Sequence, residues 1–407
     1  MKTQKVLTLD VETTIKGEGH AFDADNKLCL VGLSDESRLS IYDIEYSGNP
    51  YNELLKEIKK RIEEADLLVG FNIKFDLHWI KRYINDISFP PVWDCQLGEF
   101  ILSNQTNQYP SLDSTAIKYG LGGKYNVVVD EYWSNGIDTP QVPIELLRDY
   151  LKHDLDLTHA VFKEQEKTLR SSALFRLHCS DLKVLQEMEF NGMLFKEALS
   201  LEKADIYDNE IKLLDGKLKL LCPIFGVNFN SPTHLSALLY GGTIRIPARI
   251  ATCRTLKDGN EKIGSKNGFE EISFPRLIVP LLGTETLPTS KLKGEELNYE
   301  NNKRLSAGLH QLFRRYSIDK GTLKVLKARG TAKKIIEILL RRSKMEKLQS
   351  TYLRGIPKIM QERGWKDGII HGQLNQCVAR TGRLSSSKPN LQNQAEEIKE
   401  LFGSRYA

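Results

Sequence analysis

The 407-residue sequence predicts an α/β domain at the front of the chain followed by a mainly α-helical region. Two observations carry this. Short β-branched and leucine-rich runs alternate with helical periodicity up to about residue 170, an α/β layer pattern, and long helical patterns dominate afterwards. Charge divides at the same place: residues 1–170 hold 19 Lys+Arg against 28 Asp+Glu, net −9, and the remainder holds 39 against 25, net +14. An acidic half fits carboxylates that hold metal, and a basic half fits a phosphate-bearing partner.

In order, residues 5–10, 28–33 and 38–43 read as strands, with Asp35-Glu36-Ser37 as the turn between the last two. Residues 52–64 have helical spacing, with Asn52 as a cap. ADLLVGFN is a buried strand and KFDLHWIKRYI a helix. Residues 94–103, 112–119 and 144–167 continue as helices. The second region has helical patterns at 173–190, 196–221, 321–329 and 331–347, and a short strand-like segment at 366–376. Residues 243–305, with Pro247, Pro275, Pro280, Pro288 and many glycines, read as irregular. The domains are therefore expected at 1–170 and 171–407, with an irregular insertion at about 243–305.

Composition narrows the function. Forty per cent hydrophobic and 27% charged residues exclude disorder of the whole chain. No apolar run approaches the ~20 residues of a membrane span, so no membrane partner is expected. The first residues lack a signal-peptide pattern, and the six scattered cysteines form no C-x-x-C pair. Both point to a cytoplasmic protein, and a structural zinc site is not expected.

Three pieces of the acidic half belong together. Asp10-x-Glu12 ends a strand, so both carboxylates face one side. Asn72-x-x-x-Asp76 spans a strand-to-helix turn, with Asp76 in the first helical turn. Tyr150-x-x-x-Asp154 stacks a phenol and a carboxylate on one helix face. Each alone is common: solvated turn chemistry for the first, a surface helix pair for the last. Joint occurrence, in order and each on the element required, matches two-metal phosphodiester hydrolysis, in which carboxylates bind two Mg²⁺ or Mn²⁺ ions and a phenol positions water.

LTLDVETT, VGFNIKFDLHWI and YLKHDLDLT resemble the three motifs of the DEDD 3′–5′ exonucleases, the ribonuclease-H-like proofreading domain of DNA polymerases, in the tyrosine subclass. The resemblance implies that Asp10, Glu12, Asp76 and Asp154 are metal ligands and that Tyr150 orients the water. It makes Asp94, in WDCQLGEFIL, a supporting residue, with a helix N-cap as the plain alternative. His153 reads as a solvated helix position, His78 and Trp79 as packing, Asp156 as surface, and Phe75 as core in preference to a base-stacking residue.

In the basic half, residues 324–347 carry Lys333, Lys334, Arg341, Arg342 and other cations on what reads as a helix face, against only Glu337 and Glu346. Such a run favours a polyanion, through counterion release, over a merely solvated face. Near the end, ARTGRLSSSKPNLQN at 379–393 is very like the family A DNA polymerase motif at the base of the thumb. KLQSTYLRGIPKIM at 347–360 resembles the thumb helix before it, and LQEMEFNGMLF at 185–195 the start of the polymerase region. The resemblance implies primer–template contacts by Arg383 and Asn390, with Gln392 and Asn393 beside them and Ser385 and Ser386 on the backbone. Asn72, Lys333, Lys334 and Arg341 complete the nucleic-acid candidates.

The family places its palm aspartates and fingers helix after the T-G-R-L-S-S segment, and neither a D-Y-S-x-x-E nor an H-D-E pattern occurs here. The expected function is a metal-dependent 3′–5′ exonuclease that removes nucleotides from DNA 3′ ends during replication. Its substrates would be a primer–template and a single-stranded 3′ end, in a bacterial or phage-infected cell. The alternative is a non-catalytic primer–template-binding half that needs a second chain carrying palm and fingers.

Overall fold

The structure, a computed structural model, describes residues 4–48, 51–125, 127–223, 226–255, 261–280, 285–286 and 315–406. The chain forms two compact units, Met1–Ser200 with Arg354–Ala407, and Leu201–Leu353.

The first unit is built on a five-stranded sheet. Strands β1 (Val6–Thr13), β2 (Leu28–Ser34), β3 (Leu39–Asp43), β4 (Leu67–Gly70) and β5 (Val92–Asp94) lie in the order β3-β2-β1-β4-β5. The β3-β2 and β2-β1 pairs are antiparallel; β1-β4 and β4-β5 are parallel. Leu7, Thr8 and Leu9 of the central strand are all inaccessible, as expected for a strand covered on both faces. Helices α1 (Asn52–Glu63), α2 (Ile73–Tyr83), α3 (Cys95–Leu102), α4 (Leu112–Lys118) and α5 (Val127–Glu131) connect or flank the strands. Tyr51, not Asn52, occupies the N-cap of α1, and no side chain caps that end. The long helix α6 (Ile144–Leu169) buries Leu147, Tyr150, Leu151, Asp154, Leu155, Thr158 and Phe162 along one stripe. Gly32 lets α6 approach the sheet: a Cβ there would stand 2.6 Å from Leu155 Cδ1.

Helix α7 (Ala173–Asn191) follows, so the sequence boundary at about 170 falls between two helices of the first unit. Strand β6 (Met193–Phe195) and helix α8 (Glu197–Leu221) come next. The first unit is completed by residues from much later in the chain. Helix α12 (Gly355–Arg363) ends on an Arg363–Asp23 ion pair of 3.0 Å. Strands β11 (Ile369–Ile370) and β14 (Phe402–Gly403) flank β6, while β12 (Gln373–Asn375) pairs with β13 (Ser385–Ser387). Glu189 of α7 ties these layers together. Its carboxylate accepts from Lys74 Nζ at 2.7 Å, from His78 Nε2 at 2.7 Å and from the Leu374 amide. Burial works to raise Glu189, yet the hydrogen bond from His78 and the charge of Lys74 keep it below the usual carboxylate range.

In the second unit, helix α9 (Pro232–Tyr240) starts at a Ser231 cap with Pro at its first position. A long antiparallel hairpin follows, β7 (Gly242–Thr255) with β8 (Glu261–Phe274). The expected irregular stretch is thus corrected over 243–255 and 261–274. Period-two alternation sends Ile244, Ile246 and Phe274 into the core with Leu238, Leu239, Ile335 and Leu339, while Arg245 and Glu271 pair on the outer face at 2.9 Å. Prolines and glycines masked this pattern. Pro247 is tolerated because each strand of a two-stranded ribbon has an unpaired edge. Residues 287–305 lie outside the described residues. Beyond the two-residue strands β9 (Glu285–Thr286) and β10 (Arg315–Tyr316) come α10 (Lys320–Val325) and α11 (Gly330–Leu348). The helix expected at 321–329 stops at Val325. Among the described residues no helix is long and apolar enough to cross a membrane.

Candidate active site

Asp10 and Glu12 leave the end of β1 on one face, next to a register irregularity at Glu12/Thr13. Such irregularities re-aim side chains at strand ends. Helix α6 brings Tyr150 and Asp154 to the same place, one helical turn apart on its buried stripe. These four side chains line one cleft of about 360 Å³ together with Glu18, Phe75 and Trp133. Asp76 lies behind it, 3% exposed, with Oδ1 accepting from the Val11 amide at 3.1 Å. That bond sets Asp76 against β1 between the two strand carboxylates.

Asp94 fixes the turn that carries Asp76. Its carboxylate caps α3 by accepting from the Gln96 and Leu97 amides at 2.8 and 3.1 Å. It also accepts from the Asn72 and Ile73 amides at 3.3 and 3.1 Å, where Asn72 adopts a left-handed φ of 59° at the start of α2. The N-cap role and the supporting role are therefore the same set of bonds.

The electrostatics are those of crowded, buried acids. Burial first, and Asp154 second, push Asp10 up to about 7. Burial and the neighbouring carboxylates raise Glu12 and Asp76 well above the carboxylate range, and burial raises Asp154. Burial and the surrounding acids push Tyr150 far up as well, so it stays a phenol.

One cation answers these charges. Lys124 Nζ forms an ion pair with Asp154 Oδ2, donates to Tyr150 Oη at 3.0 Å, and lies 5.0 Å from the Tyr150 ring centroid. Asp154 Oδ1 is buried and has no hydrogen-bond partner. Among the described residues no three acidic, His or Cys side chains already converge as a closed metal cage. The donor chemistry nonetheless suits a hard divalent cation: all oxygen, anionic, buried, with one carboxylate oxygen unsatisfied. The candidate holders are Asp10, Glu12, Asp76 and Asp154.

Of the neighbours, His153 is partly exposed, and its Nε2 donates to the Gly123 carbonyl at 3.0 Å. Phe75 is partly buried and edges the cleft. Trp79 is fully buried and Asp156 exposed. Lys124, Trp133 and Glu189 were missed in the sequence. Lys124 follows a glycine-rich turn, a signal for a close backbone approach. Trp133 carries no local motif, and Glu189 lies within LQEMEFNGMLF without being singled out by it.

The nucleic-acid candidates are not gathered in this way. Asn72 and Arg383 are exposed, and Ser385 is half-buried. Ser386 is 5% exposed and its Oγ accepts from the Leu391 amide at 3.0 Å, so it holds a turn and does not face outward as expected. Asn390 Oδ1 accepts from the Gln392 and Asn393 amides at 3.0 and 3.2 Å, shaping the same loop. In the second unit Lys333 and Lys334 are exposed and Arg341 is paired with Glu210. Arg342, read as part of the cationic face, is instead buried against Asp215 and Glu346.

Residues 285–405 match the family model for DNA polymerase family A. Over 96% of its length the chain is 22% identical to a DNA polymerase of Bacillus phage SP01, covering 42% of that protein. It is 34% identical to DNA polymerase I of Pseudomonas aeruginosa over 84% of the chain and 31% of the relative. The chain thus spans about a third to two-fifths of the length of such relatives. The fold is polymerase-like: it superposes on the POL domain of Pol1 from M. smegmatis, solved with DNA primer-template and dNTP, with a TM-score of 0.59 and 16% identity. That match covers 98% of this chain and 55% of the other. The similarities are thus to DNA polymerases, and to those of family A over residues 285–405.

Proposed function

We propose that the first unit is a 3′–5′ exonuclease that hydrolyses DNA from its 3′ end, and that the chain serves proofreading in a family A polymerase. The observation that carries this is the common cleft of Asp10, Glu12, Tyr150 and Asp154, with Asp76 buried behind it. The sheet order, three antiparallel strands continued by two parallel ones, supports a ribonuclease-H-like reading of residues 1–170. Residues 171–407 would then be thumb and start of palm.

Bound divalent ions would supply the positive charge that phosphodiester hydrolysis needs on its entering and leaving oxygens. Asp10, Glu12, Asp76 and Asp154 would hold them. Tyr150 cannot act as a base, because its phenol stays protonated. Its hydroxyl receives a hydrogen bond from Lys124 in the cleft that Asp154 also lines, where it can orient a water. Phe75 and Trp133 offer aromatic surface to the terminal base. Duplex DNA would be held by Arg383, Asn390 and their loop.

The test is digestion of a 5′-labelled, mismatched primer on its template with Mg²⁺ or EDTA, for wild type and Asp76→Asn. A metal-dependent ladder shortening from the 3′ end, absent in the variant, is expected. Tight DNA binding without digestion would favour the non-catalytic primer–template holder instead.

A further inference from the structure

We propose that Lys124 is a built-in counter-cation of the cleft: its ammonium takes the place of a divalent ion on Asp154 when none is bound, and yields that carboxylate when one arrives. This rests on the reading of the cleft as a metal-holding nuclease site.

The geometry is specific to Lys124. The peptide unit before it is pinned at both its ends, since the Lys124 amide donates to Asp113 Oδ1 at 2.8 Å and the Gly123 carbonyl accepts from His153 Nε2 at 3.0 Å. A Cβ on Gly123 would stand 3.1 Å from Asp113 Oδ1, so the turn is closely packed just before the lysine. The fixed backbone delivers a flexible four-carbon stem, 21% exposed, whose ammonium reaches Asp154 Oδ2 and the Tyr150 hydroxyl.

The partnership is one-sided. Asp154 Oδ2 takes the ammonium while Oδ1, buried, has no hydrogen-bond partner. A purely structural ion pair at such burial would have both oxygens satisfied. Asp10 and Glu12 share the cleft with Asp154, so one ammonium faces three carboxyl groups. An entering dication would meet the ammonium's repulsion at Asp154, and two mutually exclusive cations weaken each other reciprocally. In the same position the ammonium lies 5.0 Å from the Tyr150 ring centroid, so the phenol shares in holding it.

The experiment is calorimetric titration of Mn²⁺ into the whole chain without DNA, for wild type, Lys124→Met, Lys124→Arg and Asp154→Asn. Lys124→Met is expected to bind Mn²⁺ about five- to tenfold more tightly than wild type, and Lys124→Arg within about twofold of it. Lys124→Met should also melt lower than wild type in EDTA, with the gap closing in Mn²⁺. A readout that needs no variant is amine acetylation of wild type followed by mass spectrometry. Labelling of Lys124 should rise at least about twofold on adding Mn²⁺, because an exchanged ion pair frees the amine. Equal or weaker Mn²⁺ binding by Lys124→Met, or unchanged labelling at saturating Mn²⁺, overturns the proposal. In that case the nuclease reading stands if wild type binds Mn²⁺ and Asp154→Asn does not. If neither wild type nor Lys124→Met binds Mn²⁺, the metal-holding reading of the cleft falls and the proposal with it.

Discussion

The acidic cleft and the basic face of the second unit put charge to opposite uses. In and around the cleft, acidic groups are buried and three of them are held by named bonds: Asp76 by the Val11 amide, Asp154 by Lys124, Asp94 by four amides. On α11, Lys333 and Lys334 stand in solvent, and the buried arginine, Arg342, is held by acids of its own unit. Buried charge that folding must fix in place is what chemistry on a single bond requires. Solvated charge that any phosphate can approach is what sequence-independent binding requires. The difference teaches that net charge alone does not identify a site. The cost of burying it does.

The comparison breaks most sharply at Asp76. Asp76→Asn keeps an oxygen for the Val11 amide, so the fold should persist, while hydrolysis should fall by at least about a hundredfold. Duplex affinity in a filter or anisotropy assay should stay within about twofold of wild type. Equal loss of both would end the division of labour.

Glu189→Ala tests buried charge that serves the fold. It removes the buried carboxylate shared by Lys74 and His78 and should cost about 3 kcal/mol in a urea melt. A loss below about 1 kcal/mol would mean that the knot is dispensable.

Arg383→Ala tests the solvated side. It should weaken duplex binding several-fold and lower the salt slope by about one, with hydrolysis of a single strand nearly unchanged. An unchanged salt slope would remove Arg383 from the DNA path.

The smallest effect concerns pH. Burial holds His371 down to about 4, against an ordinary 6.5. The unfolded chain therefore takes up this proton first as pH falls, so the stability it contributes is present above about 6.5 and is lost towards 4. Wild type should lose more melting temperature between pH 7.5 and 5 than His371→Gln, and parallel losses would argue that His371 is not held neutral.

Much of the first unit was legible because its elements announce themselves locally. β1, β2, β3 and α6 have the expected type within a few residues, since unbroken apolar runs and a 3.6-residue stripe decide them. The cleft was legible for the same reason: Asp10, Glu12, Asp76, Tyr150 and Asp154 each sit at a fixed offset within one element. The β7–β8 hairpin was not, because Pro247 and scattered glycines are turn signals whose meaning depends on which strand edge is left open. Lys124 and Glu189 were hidden for another reason. Their partners lie 30 and at least 111 positions away along the chain, and no periodicity encodes such pairings. Arg342 taught the converse: a cation in a basic run is indistinguishable by sequence from one that folding buries.

The Glu189 knot reaches from α2 through α7 to Leu374, with the whole of residues 201–353 inserted between the last two. Ribosomal synthesis therefore delivers the partners far apart in time. When residue 200 has emerged, Glu189, Lys74 and His78 are present but the strands that finish the layer are still untranslated. The nascent first unit must wait, with part of its surface uncovered, until the inserted unit has been made. Closing so long a loop adds little entropy cost, because that cost grows only logarithmically with length, but it does delay completion. Pausing or truncation within 201–353 should accordingly be most damaging to the unit that precedes it in the sequence.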